Sequence, residues 1–217
     1  MCDEPKNVSV RCASGVLGEL PADLICVPVF AGELPKDLGK FSAELEGALG
    51  RAWESGEITG KSDELFFTDT VDPNWQCRRL VLIGAGKRSD YGQEQARRIA
   101  SVSGMVARDR HASQLVLLLR TTGEMSGMAQ AVAEGVLLGA FRDSRFKTNS
   151  NSSAPFKTVD LFFEKKPNST VTEAINRGAI LAECSNLARE LSNEPGNIFT
   201  PRIFGDRASD LASGPRT

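Results

Sequence analysis

Six short apolar runs, separated by stretches of helical periodicity, constrain this chain more than any other feature. Val8, Val10 and Cys12 alternate with polar residues, the pattern of a half-buried strand, while Leu24 to Phe30 is continuously apolar, as in a strand covered on both faces. Pro28 sits inside that second run, although proline is disfavoured in a hydrogen-bonded ladder. Leu65–Thr68, Arg79–Ile83, Gln114–Leu119 and Lys157–Phe163 supply four more strands. Between them, spacing by threes and fours predicts a helix from Asp37 to about Glu54 and another from Met128 to Phe141. Ala96, Ile99, Ala100, Ser103 and Ala107 trace a further helix whose small-residue face suits close packing on a sheet. A long helix from Val171 to Leu191 carries Ala174, Leu181, Cys184, Ala188 and Leu191 on its expected buried stripe. This alternation predicts an α/β fold of three layers, a sheet between helices.

Breaker residues punctuate the pattern. Asp69 to Cys77 contains Pro73 and Asn74 and reads as a turn, and Thr148 to Pro155 reads as a mobile polar loop. The last long helix stops at Ser192-Asn-Glu-Pro-Gly196. Thr200-Pro201 then starts another, with threonine as N-cap and proline at the first helical position. That helix has barely begun where the sequence reaches Ala212 to Thr217, which suggests a piece of a longer polypeptide.

At 217 residues the chain fits one domain with a short extension. Its 26 Lys plus Arg against 28 Asp plus Glu give a net charge of −2, so bulk electrostatics do not point to nucleic acid. No apolar run approaches the ~18 residues that span a bilayer, and the start of the chain has no signal-peptide core, which predicts a cytoplasmic protein without membrane contact. The five cysteines form no C-x-x-C pair, and Cys26 and Cys184 are expected to be small buried thiols.

Few residues invite chemistry. Gly84-Ala-Gly86 after a strand resembles a phosphate cradle, because glycines let backbone N–H groups approach an anion. A P-loop needs glycine five residues before the Gly-Lys pair and Ser or Thr after the lysine; Val81 and Arg88 stand there. The dinucleotide fingerprint lacks its third glycine, replaced by Ser89. A plain strand-to-helix turn is therefore the better reading, with nucleotide binding as the alternative. His111 is the single histidine and is expected in an exposed loop, so no triad or multi-histidine metal site can form within this chain.

Three segments resemble the amino-terminal domain of the leucyl (cytosol) aminopeptidase family. They are Arg79-Leu-Val-Leu-Ile-Gly-Ala-Gly-Lys87 with Arg97-Arg98, Ala133-Glu-Gly-Val-Leu-Leu-Gly-Ala-Phe-Arg142 continuing to Phe146-Lys147, and Asn186-Leu-Ala-Arg189 through Thr200-Pro201. The last is similar to that family's junction ahead of its catalytic domain, with Arg189, Asn193, Pro195, Asn197, Thr200 and Pro201 as the matching positions. The resemblance implies a macro-domain-like mixed sheet of about six strands over residues 1–191, with residues 192–217 beginning the interdomain junction.

It also implies what to expect of function. Family members remove amino-terminal residues from peptides with two divalent ions, zinc or manganese, held by a lysine, aspartates and a glutamate of the second domain. An Asn-Thr-Asp-Ala-Glu-Gly-Arg segment belongs to that set, and it does not occur in this sequence. The chain is thus expected to hold no catalytic residue, metal or cofactor of its own, and to act in assembly and substrate access beside its own catalytic domain in a homohexamer. The alternative is a macro-like module that binds ADP-ribose or another nucleotide at Gly84–Gly86.

Overall fold

The computed structural model describes residues 8–34, 50–70, 74–77, 79–121, 123–143 and 156–213. All six expected strands form and join one sheet: β1 (Ser9–Ser14), β2 (Leu24–Val29), β3 (Leu65–Asp69), β4 (Arg79–Gly84), β5 (Gln114–Leu118) and β6 (Thr158–Phe163). Their order is β1-β6-β5-β2-β4-β3, parallel except for the antiparallel edge pair β3–β4. Parallel neighbours need crossovers. Helix α1 (Gln93–Asp109) links β4 to β5, α2 (Met125–Ala140) links β5 to β6, and α3 (Ser169–Asn193) follows β6. The result is the α/β sheet with flanking helices that the apolar pattern predicts, and it is mixed, as the family resemblance implies.

Pro28 is tolerated for a specific reason. β2 pairs with β5 only over Leu24–Cys26, so proline falls beyond the end of that ladder, and its carbonyl accepts a bond from Arg120 instead (3.1 Å). At the far edge, Arg11 of β1 grips Asp160 of β6 with two bonds of 2.8 and 2.9 Å, tying the edge strand to its neighbour.

The inner strands β2, β4, β5 and β6 bury both faces, while the edge strands β1 and β3 are only partly covered. α1, α2 and α3 cover Leu24, Cys26, Val81, Ile83, Leu115 and Leu161 on one side. On the other, Leu82, Val116, Leu118 and Phe162 pack with Leu17, Ile58, Trp75 and Ala52. The helix expected over Asp37–Glu54 lies outside the described residues up to position 49; its last turn, 50–54, is helical and buries Ala52. The loop expected at Thr148–Pro155 and the Phe146-Lys147 segment also lie outside the described residues, as do positions 71–73 of the expected turn.

The three helices meet with their backbones almost touching. A Cβ on Gly139 would stand 1.9 Å from the Ser101 carbonyl oxygen, one on Gly135 2.1 Å from that of Arg97, and one on Gly178 2.4 Å from that of Gln130. α2 thus approaches α1 beside its small-residue face, over the backbone of Arg97 and Ser101. The same closeness corrects the expected stripe of α3: its buried residues are Val171, Ala174, Ile175, Gly178 and Ala182, whereas Leu181 is 43% exposed and Cys184 lies on the surface. Small side chains at 174, 178 and 182 allow the near approach, and that packing outweighs the slightly more apolar neighbouring stripe. Cys26 is buried as expected, and burial pushes its thiol up to about 12, against a lowering bond from Ser103 and with a raising contribution from Cys77.

The carboxyl end of α2 shows how the layer is closed. Arg108 of α1 donates to the carbonyls of Gly139 (3.3 Å) and Phe141 (2.9 Å), and Asn186 of α3 donates to that of Leu137 (3.2 Å). These side chains satisfy carbonyls that a helix end leaves open, and the guanidinium complements its negative pole.

The final helix, α4 (Pro201–Ser213), is longer than the sequence suggests: thirteen residues, with no residue buried. Nothing between Pro201 and Ser213 breaks it, since Gly205 costs only about 1 kcal/mol in a helix interior. Among the described residues, no helix is long and apolar enough to cross a membrane.

Candidate functional site

Open α/β sheets bind ligands in the crevice beyond the carboxyl ends of their strands. Here that crevice is formed by the ends of β2, β4 and β5, which bring together Phe30, Glu33, Gly84–Gly86, Arg88, Tyr91 and Arg120. A phosphate cradle at this place would need free backbone N–H groups.

Those groups are already engaged. Gly84 donates its N–H to the Glu64 carbonyl (2.8 Å), Ala85 to Val29 (2.7 Å) and Gly86 to Gly60 (2.9 Å). The two glycines make room for the chain's own 60–64 loop: a Cβ on Gly84 would sit 1.8 Å from the Lys61 carbonyl oxygen, and one on Gly86 2.5 Å from the Ser62 Oγ. Gly86 also takes φ +74°, a conformation that side chains rarely adopt.

Two internal carboxylates complete the filling. Glu64 accepts the Thr59 N–H (2.8 Å), the Thr59 hydroxyl (2.7 Å) and the Lys61 N–H (3.2 Å), so an anion of the chain itself sits among the loop's donors. Burial alone would raise its pKa, but the bonds from Thr59, Lys61 and Gly60 together hold the carboxyl below the usual glutamate range. A depressed folded value means that the stabilisation is complete above the unfolded pKa and is lost as pH falls through the folded one. The melting-temperature gap between the native chain and Glu64→Gln is accordingly expected at about pH 6 and should close toward about pH 3. A gap unchanged across that range in thermal scans would count against this role for the carboxylate.

Glu33 accepts the Phe30 N–H (2.9 Å) and pairs with Arg120, both side chains being largely withdrawn from water. Arg88 and Arg120 lie over the Phe30 ring at 4.9 and 5.0 Å, and Tyr91 meets it edge-on at 4.9 Å. Burial pushes the Tyr91 hydroxyl up to about 12, opposed by Arg120. The crevice is thus closed by side chains that engage one another.

Elsewhere the chemistry is sparse. His111 is exposed in the turn after α1 with φ +55°, as a loop histidine tolerates. Among the described residues, no group of three or more His, Cys, Asp or Glu is placed to hold a metal ion. A polar cleft between the amino ends of α2 and α3, lined by Glu124, Gln130, Glu173 and Arg177, gathers no catalytic set.

The expected junction residues fall into two groups. Arg189 belongs to the layer beneath: it donates to the Leu138 carbonyl (3.0 Å) and lies 4.2 Å over the Phe141 ring. Asn193 closes α3, Pro201 opens α4, and Pro195, Asn197 and Thr200 lie in the turn between them. There the Pro195 carbonyl accepts the N–H groups of Ile198 (2.9 Å) and Phe199 (2.8 Å). Thr200 lies at the N-cap position expected of it, its Oγ1 3.5 Å from the Ile203 N–H. Sequence reasoning missed Glu194 and Arg207, which pair across this turn at 2.7 Å, because thirteen positions apart no local pattern links them.

Comparison with known proteins places this arrangement. The description "Cytosol aminopeptidase family, N-terminal domain" matches residues 26–150. A probable cytosol aminopeptidase of Solibacter usitatus is 32% identical over 197 residues, which cover 91% of this chain and 38% of that protein. One from Thermosynechococcus vestitus is 32% identical over 198 residues, 88% of this chain and 39% of that protein. The chain therefore spans about two fifths of the length of these relatives. Among solved structures, a tomato leucine aminopeptidase mutant superposes with a TM-score of 0.80 at 23% identity, covering 97% of this chain and 43% of that one. The bottromycin maturation enzyme BotP in complex with Mn gives 0.67 at 24%, covering 88% and 36%. These two likenesses concern the fold.

Proposed function

Because this chain belongs to the cytosol aminopeptidase family, as its amino-terminal domain, we propose that it is an accessory module of a two-metal aminopeptidase and performs no peptide hydrolysis alone. In this reading residues 1–191 form the module and residues 192–217 begin the junction, with Pro195, Asn197 and Thr200 in the connecting turn, Asn193 and Pro201 at the helix ends that flank it, and Arg189 bracing the helix beneath it. Its partner is the catalytic domain of the same polypeptide, assembled as a cytoplasmic homohexamer. Zinc or manganese would be held by that domain, where a metal pair activates water and polarises the peptide carbonyl. The module would help to shape assembly and substrate access.

The observation that carries this reading is the crevice at the carboxyl ends of β2, β4 and β5, where a working α/β site would lie. The chain fills it with its own loop and its own carboxylates. The rival reading, a macro-like module for ADP-ribose at Gly84–Gly86, gains no support, because the N–H groups it needs are bonded to Glu64, Val29 and Gly60.

The test is the purified 217-residue chain incubated with an aminoacyl-anilide and added manganese. No turnover above the buffer control is expected. Turnover that follows the chain through purification would overturn the reading, and calorimetric binding of ADP-ribose with micromolar affinity would restore the rival.

A further inference from the structure

The two edges of the sheet are finished differently. On β1 the exposed positions are Ser9, Arg11 and Ser14, polar side chains of the kind that keep an edge from pairing. On β3 they are Leu65, Phe67 and Asp69, and the strand holds neither lysine nor proline. Leu65 is 40% and Phe67 41% exposed. The Gly84 N–H bonds the Glu64 carbonyl, so by the alternation of an antiparallel ladder Phe66 and Thr68 also turn their backbone groups to β4. Those of Leu65, Phe67 and Asp69 point to the open side, where no further strand follows in the sheet.

Helix α1 runs beside this edge and gives it a wall. Arg98, Val102 and Met105 share one face of α1 by their spacing. Arg98 pairs with Asp63, two residues ahead of β3, and Arg110, just past the helix, lies 4.2 Å over the Phe67 ring. Between these anchors Met105, 42% exposed, stands level with the middle of the strand, because about seven residues of helix advance as far as about three of strand. An apolar slot thus lies open along β3. Its far end carries an uncommitted charge: Arg79 holds the Arg110 carbonyl (3.0 Å), and among the described residues the Arg110 guanidinium faces a ring and no carboxylate.

An edge with free main-chain groups and alternate apolar side chains suits an extended peptide, whose backbone supplies affinity and whose side chains supply selectivity. A second copy is a poorer occupant. Five residues with two large apolar side chains fall far below the roughly 800 Å² per partner of a stable pair. Pairing two copies about Phe67 would also bring two Arg110 guanidiniums together, whereas a peptide carboxylate complements one.

We infer that β3 is a peptide-binding edge: an extended segment adds antiparallel to it, bonds the outward groups of Leu65 and Phe67, lays apolar side chains along Leu65, Phe67 and Met105, and sets a carboxylate against Arg110. The inference rests on the accessory-module reading and deepens it, because main-chain pairing accepts many sequences, as the substrates of a peptide-hydrolysing partner domain require.

The test uses the 217-residue chain and a blocked probe, fluorescein-Thr-Val-Thr-Glu-Thr-Val-Thr-amide. Fluorescence anisotropy should show saturable binding with a Kd below about 1 mM. N-methylation of one alternate set of probe residues should abolish binding while the other set is tolerated, the mark of a one-sided ladder. Phe67→Lys and, independently, Arg110→Glu should each weaken binding about tenfold or more. Amide exchange at Leu65 and Phe67 should slow when the probe is added. No saturation, equal tolerance of both methylated sets, or binding unchanged in both variants would overturn the site. Sedimentation should show a monomer, and a dimer dissolved by Phe67→Lys would hand the edge to a second copy and overturn the assignment. Turnover of an unblocked peptide by the chain would remove the accessory reading while leaving the anisotropy titration intact, so the two failures are distinguishable.

Discussion

Alanine at Gly139 should destabilise the protein although alanine is the better helix former. Gly139 is the penultimate residue of α2, where replacing glycine by alanine gains at most about 1 kcal/mol from backbone entropy. Packing opposes this: the new Cβ would stand 1.9 Å from the Ser101 carbonyl oxygen, 2.6 Å from its carbon and 2.8 Å from its Cα. All three are backbone atoms of α1, which cannot rotate away as a side chain would, so α1 and α2 must separate. Overpacking of this kind costs about 3 kcal/mol or more, so the net loss is about 2 kcal/mol or greater. In a chain of this size each kcal/mol moves the melting point by roughly 2–4 °C, and a fall of at least about 4 °C is expected. Gly196→Ala is the control: nothing lies within 4 Å of that Cβ, and its effect should stay within about 0.5 kcal/mol. A Gly139→Ala chain as stable as the native one, or more so, would show that the helices are not packed this closely.

The second large effect is expected at Glu33. Its carboxylate pairs with Arg120 and also accepts the Phe30 N–H, and the side chains are 6% and 15% exposed. Glu33→Ala leaves a guanidinium without its counter-charge in a largely dry crevice and frees a backbone donor. Breaking a buried pair from one side costs about 3–5 kcal/mol. Urea titration should therefore show a large loss of stability for Glu33→Ala. Glu33→Leu combined with Arg120→Met should lose less than the sum of the two single changes, because no charge is then stranded. Strict additivity would mean that the two side chains act independently.

The sequence yields this fold unevenly, for physical reasons. The strands are legible because Leu24–Val29, Arg79–Gly84 and Gln114–Leu118 are buried on both faces, and double burial leaves no polar position to blur the pattern. The start of α4 is legible because capping at Thr200-Pro201 is local chemistry. The packing face of α3 is not: the helix is nearly even in polarity around its axis, and backbone approach at Gly178 decides which side turns inward. The Gly84–Gly86 turn is ambiguous for a related reason. Glycines that admit a phosphate and glycines that admit a neighbouring loop look alike until Lys61 and Glu64 are seen against them. Pairs such as Glu33–Arg120, 87 positions apart, leave no trace in spacing. The junction positions rest on family resemblance and not on periodicity; the fold shows Asn193 to Pro201 in and beside one turn, with Arg189 apart from them in α3.

The account depends most on the claim that these 217 residues contain no metal-dependent peptidase centre. Equilibrium dialysis of the pure chain against manganese and against zinc, followed by elemental analysis, tests it directly. The expected result is no stoichiometric retention of either ion once loosely held metal is removed by brief exchange. Two ions retained per chain, lost together when acidic residues of one cluster are neutralised, would contradict it.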